Sequence, residues 1–93
     1  MIKIEITDIV VVPIKEPVGK LRAMVRFSIN RQFQLTQMRL YEGAAGLFVG
    51  FPIDPALKGE EYRQMFYPLT RELREEIDAK VIAKYLEVKE QLG

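Results

Sequence analysis

Residues 21–43 read LRAMVRFSINRQFQLTQMRLYEG, and the alternation in this stretch decides what kind of protein the chain makes. Leu21, Ala23, Val25, Phe27 and Ile29 fall on one side of a period-two pattern, with Arg22, Met24, Arg26, Ser28 and Asn30 on the other. Side chains along a strand point alternately to opposite faces, so this is a strand with one core face and one wet, basic face. Asn30-Arg31-Gln32 is a short connection that predicts a hairpin to the next strand. In that next strand Phe33 and Leu35 share one phase, while Met38 and Leu40 share the other. An unbroken strand cannot hold both pairs inside, so the pattern predicts a bulge near Thr36-Gln37.

Upstream, Ile2, Ile4 and Ile6 alternate with Lys3, Glu5 and Thr7, and an apolar run Ile9-Val10-Val11-Val12 ends at Pro13. This reads as a strand and not as a secretory leader, because no small-residue cleavage site follows. Downstream, Glu42 to Gly46 makes a turn, and GLFVGFP over 46–52 makes a strand that Pro52 stops, since proline cannot donate to a ladder. Pro68-Leu69-Thr70 then opens a helix with Thr70 as N-cap, and Leu69, Leu73, Ile77, Val81 and Tyr85 repeat every fourth residue along it. Ile82 and Leu86 make a second, narrower stripe. The expected architecture is one α+β domain over 1–93: a twisted, mainly antiparallel sheet of about five strands with one C-terminal helix packed on a face. The strands are expected at about 2–12, 20–30, 32–42, 46–52 and 60–67, and the helix at about 70–90.

A chain of 93 residues buries a modest core. The strand GLFVGF is short, flat and apolar, and such an edge invites association unless it is paired. A homodimer is therefore expected, with Leu47, Phe48, Val49 and Phe51 forming its twofold seam. Phe48, Phe51, Phe66, Tyr62 and Tyr67 are read as core or seam packing and not as a platform for bases.

Composition narrows the chemistry. The chain has no cysteine and no histidine, which removes disulfides, thiolate sites and the commonest general base and metal ligand. No phosphate-binding loop, dinucleotide fingerprint or metalloprotease motif is present. The expectation is a non-enzymatic protein without cofactor or metal, and without a membrane segment.

The net charge of +1 conceals an asymmetry. Between Glu16 and Glu42 there is no acidic residue, yet Lys20, Arg22, Arg26, Arg31 and Arg39 lie there. From Glu42 onward ten acids face seven bases. Arg22 and Arg26 share one side of their strand and Arg39 joins them past the bulge, an arrangement suited to phosphates, with Gln34 and Thr36 as hydrogen-bonding neighbours. Lys58 and Arg63 flank the loop after Pro52, and Arg71 and Arg74 open the helix; these are secondary candidates for the same polyanion.

Several short stretches, taken in order, carry a family resemblance. KLRA at 20–23, MRL at 38–40, GLFV at 46–49, YR at 62–63 and YPL at 67–69, continuing through Arg74, Ile77, Val81 and Tyr85, resemble the stage V sporulation protein G family. The resemblance implies a small, dimeric, cytoplasmic bacterial protein connected with septation and sporulation control, whose members include DNA- and RNA-binding regulators. In that family the loop after GLFV-x-x-P usually carries a basic tract; Ile53, Asp54, Pro55, Ala56 and Leu57 stand there in this chain, leaving Lys58. Tyr67 stands where the family usually has histidine. The alternative is a protein-interaction adaptor in septation or regulation, whose neutral loop holds a protein partner.

Overall fold

The structure is a computed structural model that describes residues 4–15, 19–54 and 63–92. Four strands, β1 (Ile6–Pro13), β2 (Leu21–Ile29), β3 (Phe33–Gly43) and β4 (Gly46–Gly50), form one antiparallel sheet in the order β1-β2-β3-β4. Among the described residues there is one helix, α1 (Arg71–Leu92), which packs over one face, against β1 and β4. The α+β architecture is the expected one. The fifth strand is not: among the described residues, the backbone of the segment from 63 pairs with the extension of β4 only around the Ile53–Gln64 bridge, with Asp54 N–H donating to the Arg63 carbonyl at 2.8 Å and Met65 N–H to that of Pro52 at 2.7 Å. Pro55 and Gly59 lie between these arms and Pro52 lies within the first, and proline's missing N–H limits ladder growth. Residues 2–3 of the first predicted strand and 60–62 of the fifth lie outside the described residues.

The predicted bulge in β3 is present. Val25 pairs with Met38 and Phe27 with Leu35, so Thr36 and Gln37 together oppose Arg26, and Gln37 takes φ 69°. That extra residue puts Leu35 and Met38 on the same side. Two further bulges were not legible as phase breaks. In β1, Asp8 and Ile9 oppose Phe27, with Asp8 at φ 51°, which turns both Ile6 and Val11 inward although their spacing is odd. In β2, the register shifts by one at Arg22, between Leu21 opposite Tyr41 and Ala23 opposite Leu40.

The inner face carries the core: Ile6, Val11, Ala23, Val25, Phe27, Met38, Leu40 and Val49 meet Ile77, Val81 and Tyr85 of the helix. Burial of such side chains is worth about 1.5–3 kcal/mol each before entropy is charged against it. Thr70 caps α1 as expected, its Oγ1 accepting the Leu73 N–H at 3.2 Å. Leu69, placed on the stripe by spacing, precedes the helix and is 88% exposed. Leu86 is exposed as well, because only the 77–81–85 line reaches the sheet, with Leu73 and Ile82 at its margins.

Packing within the chain takes two of the four side chains expected at the β4 seam. Val49 and Phe51 are buried in the protein's own core, Phe51 edge-on to Phe66 at 6.1 Å, and Leu47 packs against that core. The Val49 N–H donates to Asp78 Oδ1 of α1 at 3.1 Å, so the helix covers part of the free edge. Of the four residues, Phe48 alone turns a substantial side chain to solvent.

Candidate nucleic-acid interface

The sheet has a second face, away from α1, and the strand alternation fills it in a predictable way. Residues Met24 and Arg26 of β2, Arg39 and Tyr41 of β3, and Phe48 of β4 alternate with core residues and so point outward. Val10 and Val12 of β1 lie opposite Arg26 and Met24, and Val12 is exposed. The face is therefore mixed, with an apolar shoulder on β1 beside the cations. The hairpin that carries it is held by local chemistry. Asn30 and Arg31 both take positive φ, and Asn30 Oδ1 accepts the Glu5 N–H at 2.7 Å while Thr7 Oγ1 accepts the Arg31 N–H at 3.0 Å. Asparagine tolerates the left-handed region, and the Thr7 bond helps hold the arginine there.

Arg22, Arg26 and Arg39 reach this face as expected, but they are not equivalent. Arg22 sits at the β2 bulge, where its Nε donates to Glu42 Oε1 at 3.1 Å and its Nη1 to the carbonyls of Gly19 at 2.8 Å and Leu21 at 3.2 Å. Its charge is offset and its geometry fixed, so it is not a free phosphate ligand. Arg26 and Arg39 are exposed, and neither makes a side-chain hydrogen bond or ion pair among the described residues. Met24 pairs with Arg39, so Arg26 is the diagonal neighbour of Arg39 across the ladder, about 7–8 Å away between backbones. Two like charges at that distance repel, which an anion between them relieves.

Two depressions flank the pair. One, of about 320 Å³, lies between Val10, Val12, Met24, Arg26, Thr36 and Gln37. The other, of about 490 Å³, runs from Arg39 and Tyr41 to Pro52, Ile53 and Met65. Ser28 Oγ donates to Gln34 Oε1 at 3.0 Å, so Gln34 is already engaged within the sheet.

The remaining candidates lie elsewhere. Arg71 and Arg74 belong to α1, which packs on the opposite side of the sheet; Arg71 pairs with Glu75 at 3.0 Å, and both side chains are exposed. Arg63 is exposed beside the Ile53–Gln64 bridge. Lys58, with residues 55–57 of the neutral loop and Tyr62, lies outside the described residues. Tyr41 was missed by sequence reasoning, although its parity with Arg39 was the available signal. Among the described residues no three carboxylates gather as a metal site would need, and no helix is long and apolar enough to cross a membrane.

The SpoVG family model matches residues 4–87. A protein of Agathobacter rectalis is 34% identical over 81 residues, covering 87% of this chain and 91% of that protein. A Thermoanaerobacter protein is 29% identical over 87 residues, covering 94% and 92% of the two chains. A Staphylococcus aureus protein is 32% identical over 72 residues, covering 77% and 71%. Each of the three is named "Putative septation protein SpoVG".

Proposed function

The chain belongs to the SpoVG family, and from that premise and the geometry of the outer face we propose that it is a non-enzymatic regulator of septation that binds DNA or RNA. The observation that carries the reading is the pair Arg26 and Arg39: two exposed guanidinium groups on one open sheet face, in the acid-free part of the chain, with no carboxylate bound to them among the described residues. Guanidinium groups grip phosphate oxygens through paired N–H donors, and an anionic backbone arriving here displaces no partner among the described residues. Sequence preference is expected to be modest, because phosphate contacts position a nucleic acid without reading it. Its setting is the cytoplasm of a bacterium.

Twofold association belongs to the same proposal, with its seam moved away from the β4 side chains. Tyr67 and exposed Leu69 lie beside an apolar groove that includes Ile29, Leu35, Pro68 and Leu73, where a second copy gains apolar burial. Sedimentation should give twice the chain mass, and Leu69→Lys should shift it toward the monomer.

The test of the binding reading is fluorescence anisotropy with labelled nucleic acid over a salt series, comparing wild type with the Arg26→Ala/Arg39→Ala variant. The wild type should bind more weakly as salt rises, and the variant should lose most of the affinity and about 0.7–0.9 of the logarithmic salt slope per arginine. Equal binding by both proteins would remove the arginine pair from the function. A second reading draws on the cleft between Tyr41, Pro52, Ile53 and Met65, whose walls are largely apolar: a septation adaptor that holds a protein segment there. Absence of nucleic-acid binding at low salt would favour it.

A further inference from the structure

Tyr41 and Phe48 face each other across the β3–β4 ladder on the same outer surface as Arg26 and Arg39. Their rings stack with centroids 5.6 Å apart and planes inclined by 29°. Gly50 is what lets Tyr41 lie down: a Cβ there would overlap Tyr41 Cε2, so the glycine leaves room for the ring to rest on the strand. The Phe48 ring remains 39% exposed in this arrangement. Arg39 is the residue two before Tyr41, and the Gly50 beneath the ring is its ladder partner. The surface thus presents, side by side, a cation unpaired among the described residues and an aromatic pair laid against a sheet.

We infer that this face takes single-stranded nucleic acid in preference to duplex, with Tyr41 and Phe48 stacking unpaired bases while Arg26 and Arg39 hold the adjoining phosphates. The inference rests on the nucleic-acid reading above and adds the form of the ligand. Its physical basis is that a base within a duplex has both faces covered by its neighbours, so an exposed ring on a protein surface gains nothing from it without unstacking. A base in a single strand has a free face and meets the ring directly. A polyanion with apolar, planar groups at close intervals matches both halves of this surface, whereas a duplex presents its phosphates outward and matches only the arginines. Both DNA and RNA single strands carry this chemistry.

The experiment compares three labelled probes at one salt concentration: an oligothymidylate, the same strand paired with its complement, and an abasic chain with the same number of phosphates. Wild type should prefer the oligothymidylate to both other probes by roughly tenfold or more. Tyr41→Leu/Phe48→Leu keeps apolar bulk without rings, and it should abolish that preference while leaving abasic and duplex affinity unchanged. Gly50→Ala supplies an independent route, displacing Tyr41 alone and weakening single-strand binding by a smaller factor. Circular dichroism and melting temperature verify that each variant is folded. Equal wild-type affinity for all three probes, or a ring-free variant that keeps the preference, would overturn the stacking role while leaving the arginine reading standing. Failure to bind any of the three would overturn both.

Discussion

The two faces of this one sheet are built by the same alternation and held by opposite means. On the inner face Val25, Phe27, Met38 and Leu40 are buried, and each is fixed by neighbours within the chain. On the outer face Arg26 and Arg39 alternate with those residues and have no fixed partner among the described residues. The contrast teaches that strand parity assigns a side chain to a face but not to a partner. Inside, close packing supplies the partner automatically. Outside, a carboxylate on the neighbouring strand can settle the matter, as Glu42 of β3 does for Arg22 of β2.

Substitutions sharpen the contrast by striking one face and sparing the other. The largest loss is expected from Phe27→Ala, which removes a fully buried ring from the inner face and costs about 3–5 kcal/mol, a large share of the stability of so small a domain. Urea unfolding followed by circular dichroism measures it. Asp78→Ala comes next: it strips the acceptor from the Val49 N–H at the β4 edge, for about 1–3 kcal/mol, whereas Asp78→Asn keeps an oxygen and should lose less. If the helix carboxylate also guards that edge, the alanine variant should self-associate on size-exclusion chromatography. Thr70→Ala should cost about 1 kcal/mol through the lost cap on the Leu73 N–H, seen in the same unfolding curves.

The smallest stability effects belong to the outer face. Arg22→Ala breaks a partly exposed ion pair and should change stability by under about 1 kcal/mol. Its effect on nucleic-acid affinity should be smaller than that of Arg26→Ala, because Arg22 is engaged by Glu42 and two carbonyls. A larger binding loss from Arg22→Ala than from Arg26→Ala would break the distinction drawn between them.

Much of this was legible in the sequence where packing governs. The phase change between Leu35 and Met38 announced the β3 bulge, because burial of both is costly to forgo and only an extra residue reconciles them. The helix cap and the 77–81–85 line were readable for the same reason. The β1 bulge at Asp8-Ile9 was hidden, since Ile9 to Val12 is apolar at every position and any phase fits it. The fate of β4 was hidden as well: an apolar run reads alike whether it meets a second copy or the chain's own helix, and only the packing that buries Val49 and Phe51 and sets Asp78 against the edge shows which. On the outer face the arginines were placed correctly, but neither the Arg22–Glu42 pair nor the Tyr41–Phe48 stack follows from local spacing, because both join residues on different strands.

The division of labour between the faces is tested most directly by an NMR titration of the labelled protein with a short single-stranded oligonucleotide. The account predicts that shift changes gather on Met24, Arg26, Arg39, Tyr41 and Phe48 and leave Ile77, Val81 and Tyr85 of the helix unmoved. Changes centred on α1, with the outer-face resonances still, would contradict it.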